Sequence, residues 1–208
     1  MFKTKGMSVA ASLVIVLALV VPVLAGPPLI CHPFNTARGP LLAWGDGPGW
    51  NTPDRSYDLK KLPQDVARIL TPDVPVLTRM ENLRRATIYA MQDPAIAQQL
   101  VKALTDRAAS GSQPIASFDA GYVIEAYHQG ESLRAEKSSP AWAAVDQLIK
   151  TDGYALVKKA MAAAGAPNPQ MEFAASLMTQ GQEAADHRSR AAAGARTDAA
   201  LAANLAKY

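Results

Sequence analysis

Residues 114–130, PIASFDAGYVIEAYHQG, carry apolar or small side chains at nearly every position. A helix of this length directs side chains to all sides, so the segment has almost no face that prefers water. Its ionisable groups are only Asp119, Glu125 and His128, and it has no Lys or Arg to pair with them. Because such a helix is stable when other helices cover it, the stretch predicts a central helix in the fold.

Helices are also predicted on both sides of this segment, after about residue 60. Asp93-Pro94, Ser139-Pro140 and Asn168-Pro169 each join a capping side chain to a proline at the first helical position. Thr78 and Glu81 have the spacing of a capping box. No alternating β-branched run occurs after residue 60. We therefore predict an all-α fold of six to seven helices, either an antiparallel bundle or a short stack of helical hairpins.

Two of these helix starts resemble the openings of helical hairpins in tetratricopeptide repeats (TPR). They are Asp93-Pro94-Ala95-Ile96-Ala97 and Asn168-Pro169-Gln170-Met171-Glu172, and Met161 and Ala164 occupy apolar positions of the motif before the second. The resemblance implies a TPR-like pairing of helices. The N-terminal run LICHPF, residues 29–34, is similar to a segment of uncharacterised exported bacterial proteins, which implies export but no activity.

The first 25 residues have the pattern of a signal peptide. Lys3 and Lys5 precede an apolar run from Met7 to Leu24, and the small side chain of Ala25 fits a signal peptidase site. We expect cleavage after Ala25; the alternative is a retained N-terminal membrane anchor. In both cases the remaining chain crosses the cytoplasmic membrane, which predicts a periplasmic or secreted protein.

Residues 26–60 form a Pro/Gly-rich segment that we call the strap. Its six prolines and five glycines exclude regular helix and sheet, yet it also contains large apolar side chains. We predict that the strap docks on the helical domain, residues 61–181. Trp44 and Trp50 are candidate binding anchors if the strap is exposed, and core residues if it is docked. Cys31 is predicted to be buried in the strap, with an intermolecular disulfide as the alternative.

The segment from residue 182 to residue 208 is rich in alanine. Alanine favours helix but buries little apolar area. We predict a C-terminal helix or tail that is interrupted at Gly194 and is the most weakly held part of the fold.

Composition argues against several classes of function. The chain has 21 basic and 18 acidic residues, and two of the basic ones, Lys3 and Lys5, lie in the predicted signal peptide. The near-neutral remainder predicts no nucleic-acid partner, and membrane contact only through the N-terminal segment if it is retained. A single cysteine excludes an intramolecular disulfide. No phosphate-binding, dinucleotide-binding or nucleophile-elbow motif occurs, so no cofactor is predicted.

Glu125 and His128 have the Glu-x-x-His spacing of carboxylate metal sites in helical bundles. A dinuclear site needs a second such motif, and the nearest pattern is Glu183 with His187, four residues apart. We therefore predict no metal site and no catalytic residue. Instead, Asp119 and Glu125 are expected to pair with arginines of a neighbouring helix, and His128 to cap the end of its own helix. The candidate arginines are Arg79, Arg84 and Arg85.

These patterns favour a non-enzymatic exported helical module that binds another envelope protein or a peptide. The binding surface is expected between helix pairs or on the strap, and the candidate binding residues are Trp44, Trp50, Glu125 and His128. One alternative is a small exported metalloprotein or hydrolase that uses Glu125 and His128. Another is a structural envelope protein that associates through Cys31.

Overall fold

The structure is a computed structural model of the 208-residue chain and describes residues 27–111 and 113–208. The predicted signal peptide, residues 1–25, lies outside the described residues. Within them the fold is all-α, as predicted, with no β-strand; it has nine α-helices rather than the six to seven predicted, because short helices such as α5 were not all counted. None of these helices is long and apolar enough to cross a bilayer. The helices are α1 (Leu62–Ile69), α2 (Val76–Ala90), α3 (Pro94–Ala109), α4 (Pro114–Gln129), α5 (Ala143–Leu148), α6 (Gly153–Ala163), α7 (Pro169–Ser176), α8 (Gly181–Gly194) and α9 (Ala199–Lys207).

The helix α4 lies at the centre of the fold, as its sequence predicts. It packs against α2, α3 and α6, and the side chains of Phe118, Tyr122 and Tyr127 are fully buried. At the crossing with α6, a Cβ atom on Gly153 would lie 2.6 Å from the carbonyl oxygen of Gly121. Only glycine allows two backbones to approach so closely, so these two residues fix how α4 and α6 pack.

The three predicted combinations of a capping residue and a proline all begin helical segments. Asp93 accepts a hydrogen bond from the N–H of Ala95 at 2.8 Å, and Asn168 accepts one from Gln170 at 3.0 Å. Ser139 caps a short 3₁₀ turn that leads into α5. These side chains satisfy backbone donors that a helix start leaves unpaired, which is why the local pattern located the helix starts correctly.

The predicted capping box of Thr78 and Glu81 is wrong. The helix α2 begins two residues before Thr78, at Val76. The Thr78 hydroxyl donates to the carbonyl of Arg38 at 2.6 Å, and Glu81 accepts a hydrogen bond from the N–H of Phe34 at 3.0 Å. Both side chains therefore bind the strap. A capping pattern involves only neighbouring residues in the sequence, so it cannot predict where the strap lies.

The strap is docked on α2 and is irregular, as predicted. Side chains of α2 bind its backbone: Asn82 accepts from the N–H of Leu42 at 2.8 Å, and the Tyr89 hydroxyl donates to the carbonyl of Ala43 at 2.8 Å. An irregular segment outside a sheet has to find partners for its backbone groups elsewhere. Polar side chains of α2 supply these partners. With the strap on one side and other helices on the other, all residues of α2 except Arg85 are buried.

The C-terminal helices are attached through a few side chains, and most of their residues are exposed or half-buried. In α9, Leu201 and Asn204 are fully buried. The Asn204 side chain accepts from the N–H of Asn35 at 3.0 Å and donates to its carbonyl at 2.9 Å. The ring of Tyr208 stacks on Phe34 with centroids 5.6 Å apart. A few polar and aromatic side chains thus attach this segment to the strap, and the buried surface of its alanines contributes less.

Candidate functional site

Glu125 lies on α4 opposite the start of α6. Its carboxylate accepts a hydrogen bond from the N–H of Tyr154 at 3.1 Å. The beginning of a helix carries unpaired N–H groups and partial positive charge, so a carboxylate is stabilised there. Its other neighbour is His128, whose Nδ1 is 3.5 Å from the Glu125 carboxylate. The expected pairing of Glu125 with an arginine of α2 is therefore not observed among the described residues.

His128 connects α4 to the end of α5. Its Nε2 lies 2.7 Å from the carbonyl oxygen of Ile149, which can only accept, so Nε2 carries a proton and donates. The prediction that His128 caps its own helix is wrong. Its hydrogen bond to Glu125 raises the pKa of His128 above the usual value, although partial burial opposes this rise. The two ring nitrogens of His128 thus face Glu125 on α4 and the carbonyl of Ile149 at the end of α5. Because Glu125 also binds the start of α6, these contacts help to position all three helices.

Among residues 27–111 and 113–208, Glu125 and His128 have no further ligand for a metal ion. In the described part of the chain, no group of three or more His, Cys, Asp and Glu side chains is arranged to hold one. Since a carboxylate metal site in a bundle draws ligands from several helices, one carboxylate and one imidazole on α4 do not form such a site.

Asp119 pairs with Arg79, as predicted, and both side chains are fully buried. The shortest distance between the two charged groups is 2.7 Å. Arg79 also donates to the carbonyls of Val74 and Thr71, which join α2 to the segment before it. Burial raises the pKa of Asp119 to about 6, although the positive charge of Arg79 opposes the rise. This pair ties α2 to α4.

A second buried ion pair lies further along α2. The carboxylate of Glu81 accepts hydrogen bonds from Arg84 at 2.9 Å and from Arg85 at 2.7 Å. Burial alone would raise the pKa of Glu81, but the two arginines and the Phe34 N–H outweigh it and hold this pKa below its usual value. Arg84 continues to the carbonyl of Trp50 at 3.0 Å. These charged residues hold the strap against α2.

The candidate anchors Trp44 and Trp50 belong to the docked strap. Both are half-buried and pack against the core. Trp44 lies beneath the guanidinium groups of Arg84 and Arg85, whose central carbons are 5.1 and 5.5 Å from the ring centroid. The edge of Tyr89 also meets it, with centroids 5.4 Å apart. Trp44 is therefore engaged within the protein and is not a free recognition group.

Cys31 is buried in the same segment, as predicted, with 8% of its surface exposed. Burial raises the pKa of its thiol, although the charge of Arg84 opposes the rise. A thiol that stays protonated is a poor nucleophile, so the environment does not activate it.

One polar cluster that the sequence did not reveal joins α6, α7 and α8. The imidazole of His187 lies 2.5 Å from the Tyr154 hydroxyl and 2.5 Å from the Glu172 carboxylate. Tyr154 also donates to Glu183 at 2.8 Å, and Arg190 donates to Glu172 at 2.9 Å. In the sequence, only the spacing of Glu183 and His187 indicates this cluster, because Tyr154 lies on α6 and Glu172 on α7.

The chemistry of this cluster indicates that it holds α6, α7 and α8 together and does not activate a nucleophile. His187 is only 5% exposed, and it and Ala191 are the buried residues of α8. Burial and the neighbouring Glu183 raise the pKa of Tyr154 to about 12. The phenol therefore keeps its proton at neutral pH and is not activated as a nucleophile. We assign the cluster to the packing of α6, α7 and α8.

A groove of about 820 Å³ lies where α2, α4 and α7 begin and α6 ends. This size is within the range of pockets that bind ligands. Proline rings form part of its walls, and the apolar side chains of Ile115 and Met171 contribute to the remainder. Hydrogen-bonding side chains also line it, including Arg38, Gln113 and Asp198. The groove thus combines apolar surface with polar groups of both charge signs.

In comparisons with known proteins, no family model, no curated protein and no solved structure matches this chain. The similarities to TPR hairpins and to exported bacterial proteins stay predictions. Functional inference therefore depends on the geometry of the chain itself.

Proposed function

We propose that this protein is a non-enzymatic, exported module that binds an extended segment of another envelope protein or a peptide. The groove between the starts of α2, α4 and α7 and the end of α6 is the binding surface. It carries the proposal because its walls combine flat apolar patches with hydrogen-bonding side chains. Extended peptides are recognised in this way, through pockets for side chains and polar partners for the backbone.

The distribution of reactive groups supports binding rather than catalysis. Glu125 and His128 are engaged in helix contacts, and neither lines the groove. The groove instead contains Arg38 at one edge and Asp73 and Asp198 elsewhere in its lining. Charges of both signs suit the amide dipoles and mixed side chains of a peptide better than a strongly charged ligand.

A peptide library selected against the purified protein tests this proposal. Ala164 is exposed and lines the groove, so A164W fills the groove without disturbing the core. Ala103 is also exposed, lies on α3 and does not line the groove, so A103W is the matched control. Selected peptides should bind the wild type and A103W alike and bind A164W at least tenfold more weakly. The proposal is wrong if no peptide is enriched, or if all three proteins bind the enriched peptides equally.

Export is tested separately by cell fractionation and N-terminal sequencing. The proposed location requires the protein outside the cytoplasm, with Gly26 as its first residue after cleavage. An intact N-terminus in the membrane fraction would support the anchor alternative instead. Recovery only from the cytoplasm would contradict export in either form.

A further inference from the structure

Tyr127 and Arg134 each bury a polar atom that has no hydrogen-bond partner. These atoms are the hydroxyl oxygen of Tyr127, which is fully buried, and Nε of Arg134, which is 7% exposed. The great majority of buried polar groups are paired, so an unpaired one calls for a physical explanation such as a water or an ion. Two such atoms, in residues that line one cavity, indicate that a water or an ion pairs with them there.

Both residues line the same small cavity, of about 210 Å³, near the end of α4. It therefore has room for a small ion with some accompanying water, since one water takes about 30 Å³ in the liquid. The remaining residues around the cavity are His128, Glu131, Asp146, Ile149 and Lys150.

The two unpaired atoms both offer hydrogens. Nε of an arginine can only donate. Burial raises the pKa of Tyr127 far above its usual value, although the charge of Arg134 opposes this, so the phenol also keeps its proton. A partner that satisfies both groups has to supply acceptor oxygens.

The guanidinium of Arg134 is held in place by other groups. One of its terminal nitrogens donates to Asp146 at 2.6 Å, and its central carbon lies 5.0 Å from the ring centroid of Trp142. These contacts leave Nε unused. Because its position is fixed before any ligand arrives, binding there does not require ordering a flexible side chain.

The charges around the cavity are nearly balanced. Arg134 and Lys150 contribute positive charge, while Asp146 and Glu131 contribute negative charge. Glu125 adds a further negative charge through its contact with His128. This balance favours a small anion of low charge over a polyanion.

We propose that this cavity binds a small oxyanion, and that Tyr127 Oη and Arg134 Nε donate hydrogen bonds to its oxygens. The ligand class includes small carboxylates and tetrahedral oxyanions, which share this acceptor chemistry. The site is separate from the peptide groove and does not depend on its function.

The experiment follows the Arg134 Nε–H signal by NMR while acetate, sulfate or phosphate is added at low millimolar concentration. Sodium chloride keeps the ionic strength constant, so that a change in charge screening does not itself shift the signal. The signal should shift saturably with at least one probe. Y127F removes the unpaired hydroxyl and retains the ring, and it should weaken the apparent affinity about tenfold or more, as for one hydrogen bond to a charged group.

The matched control is Y57F, because Tyr57 donates to Asp65 away from this cavity. It should leave the anion response unchanged. A response confined to acetate identifies a carboxylate ligand, whereas a response to sulfate or phosphate identifies a tetrahedral one. If no probe gives a saturable shift, the cavity holds only water and the proposal is wrong. An equal affinity in Y127F and wild type would also overturn it, because the anion would then bind elsewhere.

Discussion

The strap and the C-terminal helices are attached to the core in different ways. The strap has few regular hydrogen bonds of its own, and charged and amide side chains of α2 bind its backbone. The helices α8 and α9 satisfy their own backbones and need only a few side chains to attach them, chiefly Leu201, Asn204 and His187. An irregular segment therefore depends on buried polar partners, whereas a helix of small residues depends on where its few large residues lie.

The largest effect is expected from E81Q, which tests the charged attachment of the strap. The substitution keeps the shape of the side chain but leaves the buried guanidinium of Arg84 without its counter-charge. Breaking a buried ion pair in this way costs about 3–5 kcal/mol. The free energy of unfolding in urea measures the loss.

Its control is D106N, which removes a partner from the exposed pair of Lys102 and Asp106. Exposed pairs contribute at most about 1 kcal/mol. A loss below this value in E81Q would mean that the strap does not depend on the buried charge.

L201A tests the attachment of the C-terminal helices. Leu201 is fully buried in a segment that otherwise contributes mainly alanine. Truncating a buried leucine costs about 2–5 kcal/mol. Leu205 is only half-buried in the same helix, so L205A should cost less in the same urea titration. Equal and small losses would support the prediction from composition that this segment is weakly held.

N82A separates opening of the strap from unfolding of the whole chain. Asn82 binds the N–H of Leu42 and the carbonyl of Pro40, so its loss should cost about 1–3 kcal/mol. Cys31 is the single cysteine and is buried in the strap, so its labelling rate reports opening. Labelling by a thiol reagent without denaturant should be slow in the wild type and faster in N82A.

N51A, at an exposed position in the strap, is the control and should label at the wild-type rate. N204A breaks the contact of α9 with the same strap. If N204A accelerates labelling as N82A does, the strap opens as one unit held from both sides. If the opening free energy from labelling equals the free energy of unfolding in urea for the wild type and both variants, Cys31 is exposed only by global unfolding.

The smallest effects concern pH, where the two buried carboxylates act in opposite directions. Glu81 has a lowered pKa in the folded state, so its contribution is complete above about pH 4.5, the usual value, and is lost as pH falls through the lowered pKa. The pKa of Asp119 is raised to about 6, so its contribution is complete below its usual value of 3.8 and is lost as pH rises through 6.

Urea titrations from pH 3 to pH 8 measure both contributions. Compared with the wild type, E81Q should lose less stability on acidification below pH 4.5, and D119N should lose less between pH 4 and pH 6. Parallel curves for all three proteins would contradict both assignments.

Local signals in the sequence predicted much of this fold. The apolar stretch of α4 located the centre, and Asp93 and Asn168 located helix starts, because both signals act within a few residues. The strap was predicted to dock because its large apolar side chains need cover. The partners of Glu81, Glu125 and His187 were not predictable, since they lie on other elements and any of several acceptors or donors could satisfy them. The same holds for the groove, which is formed by the ends of separate helices.

The contacts between the strap and α9 join parts of the chain that are far apart in sequence. Asn35 and Asn204 are 169 residues apart, and the Tyr208 hydroxyl donates to the carbonyl of His32 across 176 residues. Such distant pairings form late, because a long loop of chain must be closed before they contribute. During synthesis, the early segment has to wait for the last helix before its outer side is covered. Until then, the face of Phe34 that stacks on Tyr208 has no cover from this ring.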